Sequence, residues 1–149
     1  LPAPFDGLTA AGVPTLISSV PPTGDKAVSD TFAFFDPSGQ VNKMYETTSA
    51  AGIVAAGDSP NGLWLRLLDS SLTTGASDAG VASWKTLCPD CALATLDFTT
   101  ANVDKLASAV SAALVQNPDV NVVMVPVDSF VPLPSFTAVK PFPILPVNC

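Results

Sequence analysis

Apolar residues recur along the chain in two alternating patterns. Short apolar runs are typical of strands, whereas stretches with apolar positions every three or four residues indicate amphipathic helices. The predicted order is helix, strand, strand, helix, strand, helix, strand, helix, strand, over residues 5–11, 13–20, 31–35, 37–56, 63–68, 76–87, 93–98, 101–115 and 120–127. Because strands alternating with helices of this length indicate βαβ units, we predict an α/β fold, a three-layer αβα arrangement with a mostly parallel sheet.

The clearest example of this pattern lies in the second half of the chain. An apolar stripe marks one face of the helix predicted over residues 101–115, and it consists of Val103, Leu106, Val110 and Leu114. The strand predicted over 120–127 is apolar along most of its length, as strands buried on both faces are. It ends directly before Asp128, and the carboxyl ends of such strands are where open α/β sheets hold polar ligands.

Turn and cap residues separate these elements. Gly12 is expected at the C′ position of the first helix, and residues 70–75 are expected to form a polar loop. Thr100 is placed to cap the helix that follows it. Prolines recur from Val131 onward and exclude a long helix, so residues 131–149 are expected to form an extended arm or a poorly ordered end.

The composition narrows the function classes. Hydrophobic residues make up 48% of the 149 residues, but no apolar run reaches the roughly 18 residues that a membrane-spanning helix needs. The net charge is −7, and the six basic residues are spread without forming a patch, so nucleic-acid binding is not expected. We therefore expect an acidic protein outside the cytoplasm, without membrane insertion.

The sequence contains no histidine, which excludes Ser-His-Asp triads, Cys-His pairs and most zinc sites. No serine is accompanied by a base that could activate it, so no catalytic residue, metal or cofactor is expected and the chain is not predicted to be an enzyme. Cys88 and Cys91 are spaced as in a redox C-P-x-C motif, but they follow a helix and precede a strand. A structural disulfide in an oxidising compartment is the favoured interpretation, and a redox dithiol remains the alternative.

Four carboxylates lie at the carboxyl ends of predicted strands: Asp36, Asp69 and Asp128 directly follow a strand, and Asp97 lies near the end of one. Because the carboxyl ends of parallel strands share one edge of a sheet, these groups could line a cleft there and accept hydrogen bonds from the hydroxyls of a sugar or polyol. Aspartate also favours turns and helix caps for local reasons, so each has a structural alternative. Most aromatic residues, Trp64 and Trp84 among them, are expected in the core.

Three segments resemble the type 1 periplasmic substrate-binding proteins, the sugar-binding components of ABC importers. The strongest match is Ala-Ala-Leu-Val-Gln-Asn-Pro-Asp-Val-Asn-Val-Val over residues 112–123, which is similar to the family's helix, NPD turn and following strand. Residues 87–98, which carry the Cys-Pro-Asp-Cys turn and the strand end Leu-Asp-Phe, support it. Residues 10–16 resemble the family's helix-to-strand step, and together the resemblance covers residues 5–130.

The family has two α/β lobes around a hinge, and its members are longer than this chain. The resemblance implies that residues 1–36 are the end of the first lobe, 37–61 a crossover or hinge helix, 62–130 a second-lobe βαβαβ unit and 131–149 a proline-rich tail. The two-lobe arrangement would then be incomplete. The chain could accordingly be a fragment without activity of its own.

The resemblance further implies a sugar-like solute as ligand and an ABC permease as a possible partner. Asp128 matches an acidic ligand-side position, although Val127 stands where the family often has Asn. The loop at 70–78 lacks the family's frequent arginine, and among nearby residues only Phe98 could replace the aromatic ring that often stacks on the sugar. A further alternative is the effector-binding core of a transcription regulator, which shares the lobe fold and would need a DNA-binding head.

Overall fold

The structure is a computed structural model, and it describes Gly7, residues 10–18 and residues 33–126. The elements whose bounds are described are five strands, three α-helices and one 3₁₀ turn, and Gly7 and Ala10 are helical as well. In chain order they are β1 (Leu16–Ser18), β2 (Ala33–Phe35), α1 (Ser38–Ala56), β3 (Asn61–Leu67), α2 (Ser71–Leu87), β4 (Ala92–Phe98), the 3₁₀ turn (Thr100–Lys105), α3 (Leu106–Gln116) and β5 (Val122–Met124). The described part is therefore α/β.

Every strand pairing in the described ranges is parallel, as predicted. The chain divides into two compact units, Leu1–Val41 and Asn42–Cys149. In the first unit β1 pairs with β2. In the second unit β3 is the centre of a three-stranded sheet in the order β4-β3-β5. Parallel strands need crossover connections, and α2 and the segment containing α3 provide them.

The two crossovers lie on opposite faces of the three-stranded sheet. The chain passes from β3 to β4 through α2, and then returns across β3 to β5 through α3. Because crossovers of one hand that run in opposite directions place their helices on opposite faces, this order produces a layer on each side of the sheet. The second unit is thus compatible with the predicted three-layer αβα arrangement.

One face of the sheet packs against α3 through aliphatic side chains. Alternate residues of β3 point toward this face, and Leu63, Leu65 and Leu67 are all buried. They form one cluster with Phe98 of β4 and with Leu106 and Val110 of α3. Leu106 and Val110 belong to the predicted apolar stripe and are buried in this cluster, and the other two stripe residues, Val103 and Leu114, are partly buried against it.

The other face packs against α1 and α2 through aromatic rings and glycines. Trp64 and Trp84 are 1% and 0% exposed. A Cβ atom on Gly80 of α2 would overlap the Trp64 ring, and one on Gly62 of β3 would lie 2.9 Å from the Trp84 ring. The glycines therefore let helix and sheet backbones approach closely enough for the indole rings to fill the space between them.

The predicted start of α2 is wrong. The sequence predicts a loop over residues 70–75 and a helix from Ala76, whereas α2 begins at Ser71. The Ser70 hydroxyl accepts a hydrogen bond from the Thr73 N–H at 3.2 Å, and the Thr73 hydroxyl accepts one from the Ser70 N–H at 3.1 Å. Serine and threonine favour loops because they compete for backbone hydrogen bonds, but the same property makes them caps at a helix start.

The predicted start of the next helix is also wrong. The segment begins as the 3₁₀ turn with Thr99, not Thr100, at the N-cap, and α3 starts only at Leu106. The Asn102 side chain accepts a hydrogen bond from the Thr99 N–H at 2.9 Å, and Asn102 itself has non-helical backbone angles. This local hydrogen bond competes with regular helix and delays its start.

Other predicted elements agree with the structure. The helix predicted over 37–56 is α1 and ends at Ala56. Gly12 has a φ of +66°, the left-handed conformation expected at a C′ position. Strands β3 and β4 begin slightly earlier than predicted, and β5 is shorter than the predicted 120–127. Among residues 1–9 the structure describes only Gly7, and residues 19–32 and 127–149 lie outside the described residues.

Candidate functional site

The carboxyl ends of β3, β4 and β5 share one edge of the sheet, which we call the carboxyl edge, because the three strands run parallel. The chain leaves β3 toward β4 and then crosses back to β5, so the strand order reverses between β3 and β5. In open α/β sheets such a reversal leaves a crevice outside the strand ends, and ligands bind there. The carboxyl edge between β3 and β5 is therefore the first candidate site.

Asp97 lies at the carboxyl edge and is held by an arginine. It stands beside Arg66 in the strand register, and the Arg66 Nη1 donates hydrogen bonds to its two carboxylate oxygens at 2.9 and 3.1 Å. The other terminal nitrogen of Arg66 donates to Asp78 of α2. Asp97 is thus one half of an ion pair on the α1/α2 face of the sheet.

Arg66 is a charged residue of the carboxyl edge that the sequence reasoning did not select. Partial burial lowers the pKa of its guanidinium, but hydrogen bonds and charges from Asp78 and Asp97 outweigh burial, so the pKa lies above its ordinary value. The sequence did contain a signal for this residue, because Arg66 is the one charged residue within an otherwise apolar predicted strand. Its side chain is 21% exposed, so the ion pairs are partly screened by water and contribute modestly to stability.

Asp69 follows β3 at the carboxyl edge and joins the ends of β3 and β4. Its carboxylate accepts hydrogen bonds from the backbone N–H of Thr100 at 3.0 and 3.2 Å and from the Thr100 hydroxyl at 3.2 Å. It therefore satisfies a donor at the start of the 3₁₀ turn, the structural role weighed for it from the sequence. Thr100, predicted as a cap, is instead the residue that Asp69 holds.

The remaining predicted ligand residues are placed differently. Asp36, in the first unit, accepts a hydrogen bond from the Ser38 N–H at 2.8 Å at the start of α1. Hydrogen bonds from the Ser38 side chain and backbone hold the pKa of Asp36 below its ordinary value. Phe98 is 4% exposed and packs in the aliphatic cluster, so its ring faces the core. Asp128 lies outside the described residues.

Cys88 and Cys91 form a disulfide with a Cα–Cα distance of 5.3 Å. The bridge closes the turn between α2 and β4, and the Cys88 N–H donates to the Trp84 carbonyl as the cap of the helix C-terminus. This position agrees with the structural disulfide favoured from the sequence. A redox cysteine is typically activated at a helix N-terminus, where the dipole stabilises the thiolate. Cys149 lies outside the described residues.

The opposite edge of the sheet, where β3 and β4 begin, carries a shallow depression that the sequence reasoning did not anticipate. Its volume is about 210 Å³, and it lies between the first residues of β3 and β4 and the turn after α3. Its lining includes Asn61, Gln116, Asn117 and Asp119. The sequence marked the Asn-Pro-Asp turn only as part of the family resemblance.

In residues 10–18 and 33–126, no group of three or more Cys, Asp or Glu side chains is arranged to hold a metal ion. No helix within those ranges combines the length and the apolar character needed to cross a bilayer.

Comparisons with known proteins leave the resemblance seen in the sequence as a prediction. A scan against protein-family models and searches of curated proteins and of solved structures found no match.

Proposed function

We propose that this chain is a solute-binding module, or a part of one, from an ABC-type uptake system outside the cytoplasm, and that its ligand is a sugar or polyol. The observation that carries the proposal is the strand order β4-β3-β5, which creates a switch point at the carboxyl edge. This is the place where α/β sheets of many functions bind small polar molecules. The family resemblance of residues 5–130 adds the class of ligand.

The groups near the switch point suit a hydroxylated solute. Asp69 follows β3, and Asp128 follows β5 in the sequence, so the two strands that border the crevice each lead to a carboxylate. A carboxylate offers about four acceptor positions, and Asp69 uses three of them on Thr100. We therefore assign Asp128 the main ligand-binding role and Asp69 the role of holding the end of β4 in place.

Arg66 gives this edge a hydrogen-bond donor that the family places elsewhere. The loop at residues 70–78 has no arginine, but Arg66 reaches the same edge from within β3 and is fixed between Asp78 and Asp97. In the proposed function Asp97 positions Arg66 and does not contact the solute. In the proposed function, two lobes close about a hinge and thereby enclose the ligand, as in other binding proteins of this class.

The redox alternative receives less support. A thiol–disulfide enzyme would need an activated thiol, whereas Cys88 is at a helix C-terminus, where the dipole disfavours a thiolate. Titration of free thiols after mild reduction separates the two functions, because a redox protein would show a thiol that reacts rapidly at neutral pH.

A thermal-shift screen of the full chain against sugars and polyols tests the proposal. A ligand at 100 times its dissociation constant stabilises the native state by about 2.7 kcal/mol, which raises Tm by roughly 2–4 °C per kcal/mol for a domain of this size. Asp128→Asn should abolish the shift, while Asp58→Asn, in the exposed turn after α1, makes the same charge change and should leave it intact. No stabilising compound, or equal loss in both variants, would contradict the proposal.

A further inference from the structure

The depression at the amino edge, where β3 and β4 begin, owes its shape to small residues and to the length of α3. Ala92 and Ala94 form part of its wall on β4, and α3 ends at Gln116 before it can cover them. The Asn-Pro-Asp turn then leads the chain toward β5 along the side of the depression. The result is a small recess with apolar alanine methyl groups inside and polar side chains at its border.

The hydrogen-bonding groups of that border are mostly acceptors. The Asn117 side chain donates from Nδ2 to the Ala113 carbonyl at 2.8 Å, which leaves its amide oxygen as an acceptor. Within the described part of the chain, the side chains of Asn61, Gln116 and Asp119 make no hydrogen bond. The amides of Asn61 and Gln116 therefore offer both acceptors and donors, and Asn117 retains one N–H donor beside its oxygen. The Asp119 carboxylate only accepts, so acceptor positions outnumber donors by about two to one.

The electrostatics of the depression favour a positive charge. Asp119 supplies a carboxylate, and no basic residue is among the lining residues. Gln116 and Asn117 end α3, where the helix dipole places partial negative charge on the last carbonyl groups. The charge and the surplus of acceptors thus select the same kind of ligand group.

We propose that this depression binds the ammonium group of a small primary amine. An ammonium carries a positive charge and three N–H donors with no acceptor, which complements a border rich in acceptors. The alanine methyl groups would contact the carbon next to the nitrogen. Because the volume of about 210 Å³ is below the roughly 300–1,000 Å³ of drug-sized pockets, the ligand is small and the expected dissociation constant is on the order of millimolar.

This site is separate from the proposed solute site. The depression is at the amino edge of the sheet, and the switch point between β3 and β5 is at the carboxyl edge. The two proposals use no residue in common, so either can fail without the other.

Titration of the ¹⁵N-labelled full chain with butylammonium chloride at constant ionic strength tests the inference. We expect saturable changes in the amide NMR signals of Asn61, Ala94 and Asn117. Butan-1-ol has the same carbon chain without the charge, and butyltrimethylammonium has the charge without N–H donors. Both should bind more weakly than butylammonium.

A pair of matched variants completes the test. Asp119→Asn should weaken butylammonium binding about tenfold, the factor expected for one charge-assisted hydrogen bond. Asp104→Asn makes the same charge change in the exposed 3₁₀ turn beyond the carboxyl end of β4, and it should leave the affinity unchanged. Spectra of both variants report directly whether they remain folded.

Several outcomes would overturn the inference. Equal binding of butyltrimethylammonium, or equal weakening in both variants, would show only attraction to a protein of net charge −7. Signal changes centred on the carboxyl edge, or no saturation up to the solubility limit, would likewise contradict a site at the amino edge.

Discussion

The two faces of the three-stranded sheet are packed by different means. The face toward α3 is filled by aliphatic side chains that interlock, with Leu63 and Leu65 fully buried. The face toward α1 and α2 is filled by two indole rings set against glycines. Aliphatic packing tolerates small rearrangements, whereas a ring against a bare backbone leaves no room for an added methyl group.

The faces also differ in how completely their polar groups are satisfied. Four buried polar atoms have no hydrogen-bond partner within the described residues, namely Asn42 Oδ1, Trp64 Nε1, Ser77 Oγ and Trp84 Nε1. All four belong to α1, α2 or the sheet face that these helices cover. An unpaired buried polar group costs free energy. The aromatic face therefore combines tight shape with incomplete hydrogen bonding, and the aliphatic face carries neither constraint.

The largest effect is expected from a truncation on the aliphatic face. Leu65→Ala removes a side chain that is 0% exposed at the centre of the cluster. The free energy of unfolding should fall by about 2–5 kcal/mol, because the lost apolar contacts leave a cavity. Urea unfolding followed by far-ultraviolet circular dichroism measures it. A loss below about 1 kcal/mol would mean that this face is not the main source of stability, given such typical truncation costs.

The next effect is expected from an added methyl group on the aromatic face. Gly80→Ala would overlap the Trp64 ring and should cost about 1–3 kcal/mol. Gly75→Ala, in the same helix, has no atom within 4 Å of the new methyl group and should stabilise by up to about 1 kcal/mol. Opposite signs of the two unfolding free-energy changes would confirm the glycine packing, whereas equal signs would contradict it.

Two buried serines test the hydrogen bonding of the aromatic face. The Ser49 hydroxyl donates to the Gly80 carbonyl at 2.6 Å, whereas the equally buried Ser77 hydroxyl has no partner in the described residues. Ser49→Ala should cost about 1 kcal/mol, and Ser77→Ala should be neutral or slightly stabilising because it removes an unpaired group. Denaturant midpoints of the two variants measure the difference. A larger loss for Ser77→Ala would show that this hydroxyl has a partner.

The smallest expected effect is a pH dependence at Tyr45. Burial raises the pKa of Tyr45 above its ordinary value of 10.0, and its ring lies 6.0 Å from the Trp64 ring. Because the folded state holds the proton more tightly than the unfolded chain, stability is fully present below pH 10 and is lost as the pH rises through the folded pKa.

This pH effect can be isolated because the chain has one tyrosine. Tyrosinate absorbance in the native and denatured states measures the two pKa values, and Tyr45→Phe should remove that part of the alkaline loss of stability. The two tryptophans of the chain both lie on this face, so tryptophan fluorescence reports on it directly. A native pKa at or below 10 would show that the aromatic face is open to water.

Local patterns were sufficient for most elements but not for helix starts. Apolar spacing located α1, β3, β4 and α3 because burial of one face imposes a period on the sequence. The start of α2 was missed because Ser70 and Thr73 read equally well as loop residues or as a reciprocal cap. The start of α3 was missed because Asn102 closes a local hydrogen bond that shifts the cap to Thr99.

For the candidate sites, too, the sequence predicted some features and not others. The position of Asp69 and Asp97 at the ends of strands was readable from the sequence, but their partners, Thr100 and Arg66, are distant along the chain. The amino-edge depression was not readable at all. It brings together the start of β3, the start of β4 and the end of α3. The spacing of residues within one segment does not predict that these three segments lie side by side.

The sequence by itself determined the α/β class, the parallel pairing and the general order of the elements. Burying one face of a helix or strand requires apolar residues at regular intervals, and that spacing is visible in consecutive residues. Only the tertiary structure decided which face of the sheet each helix covers, which carboxylates are already held by Arg66 and Thr100, and where an open recess remains. Those features depend on contacts between residues far apart in the chain, and such contacts do not produce a regular spacing of residue types that could be recognised in the sequence.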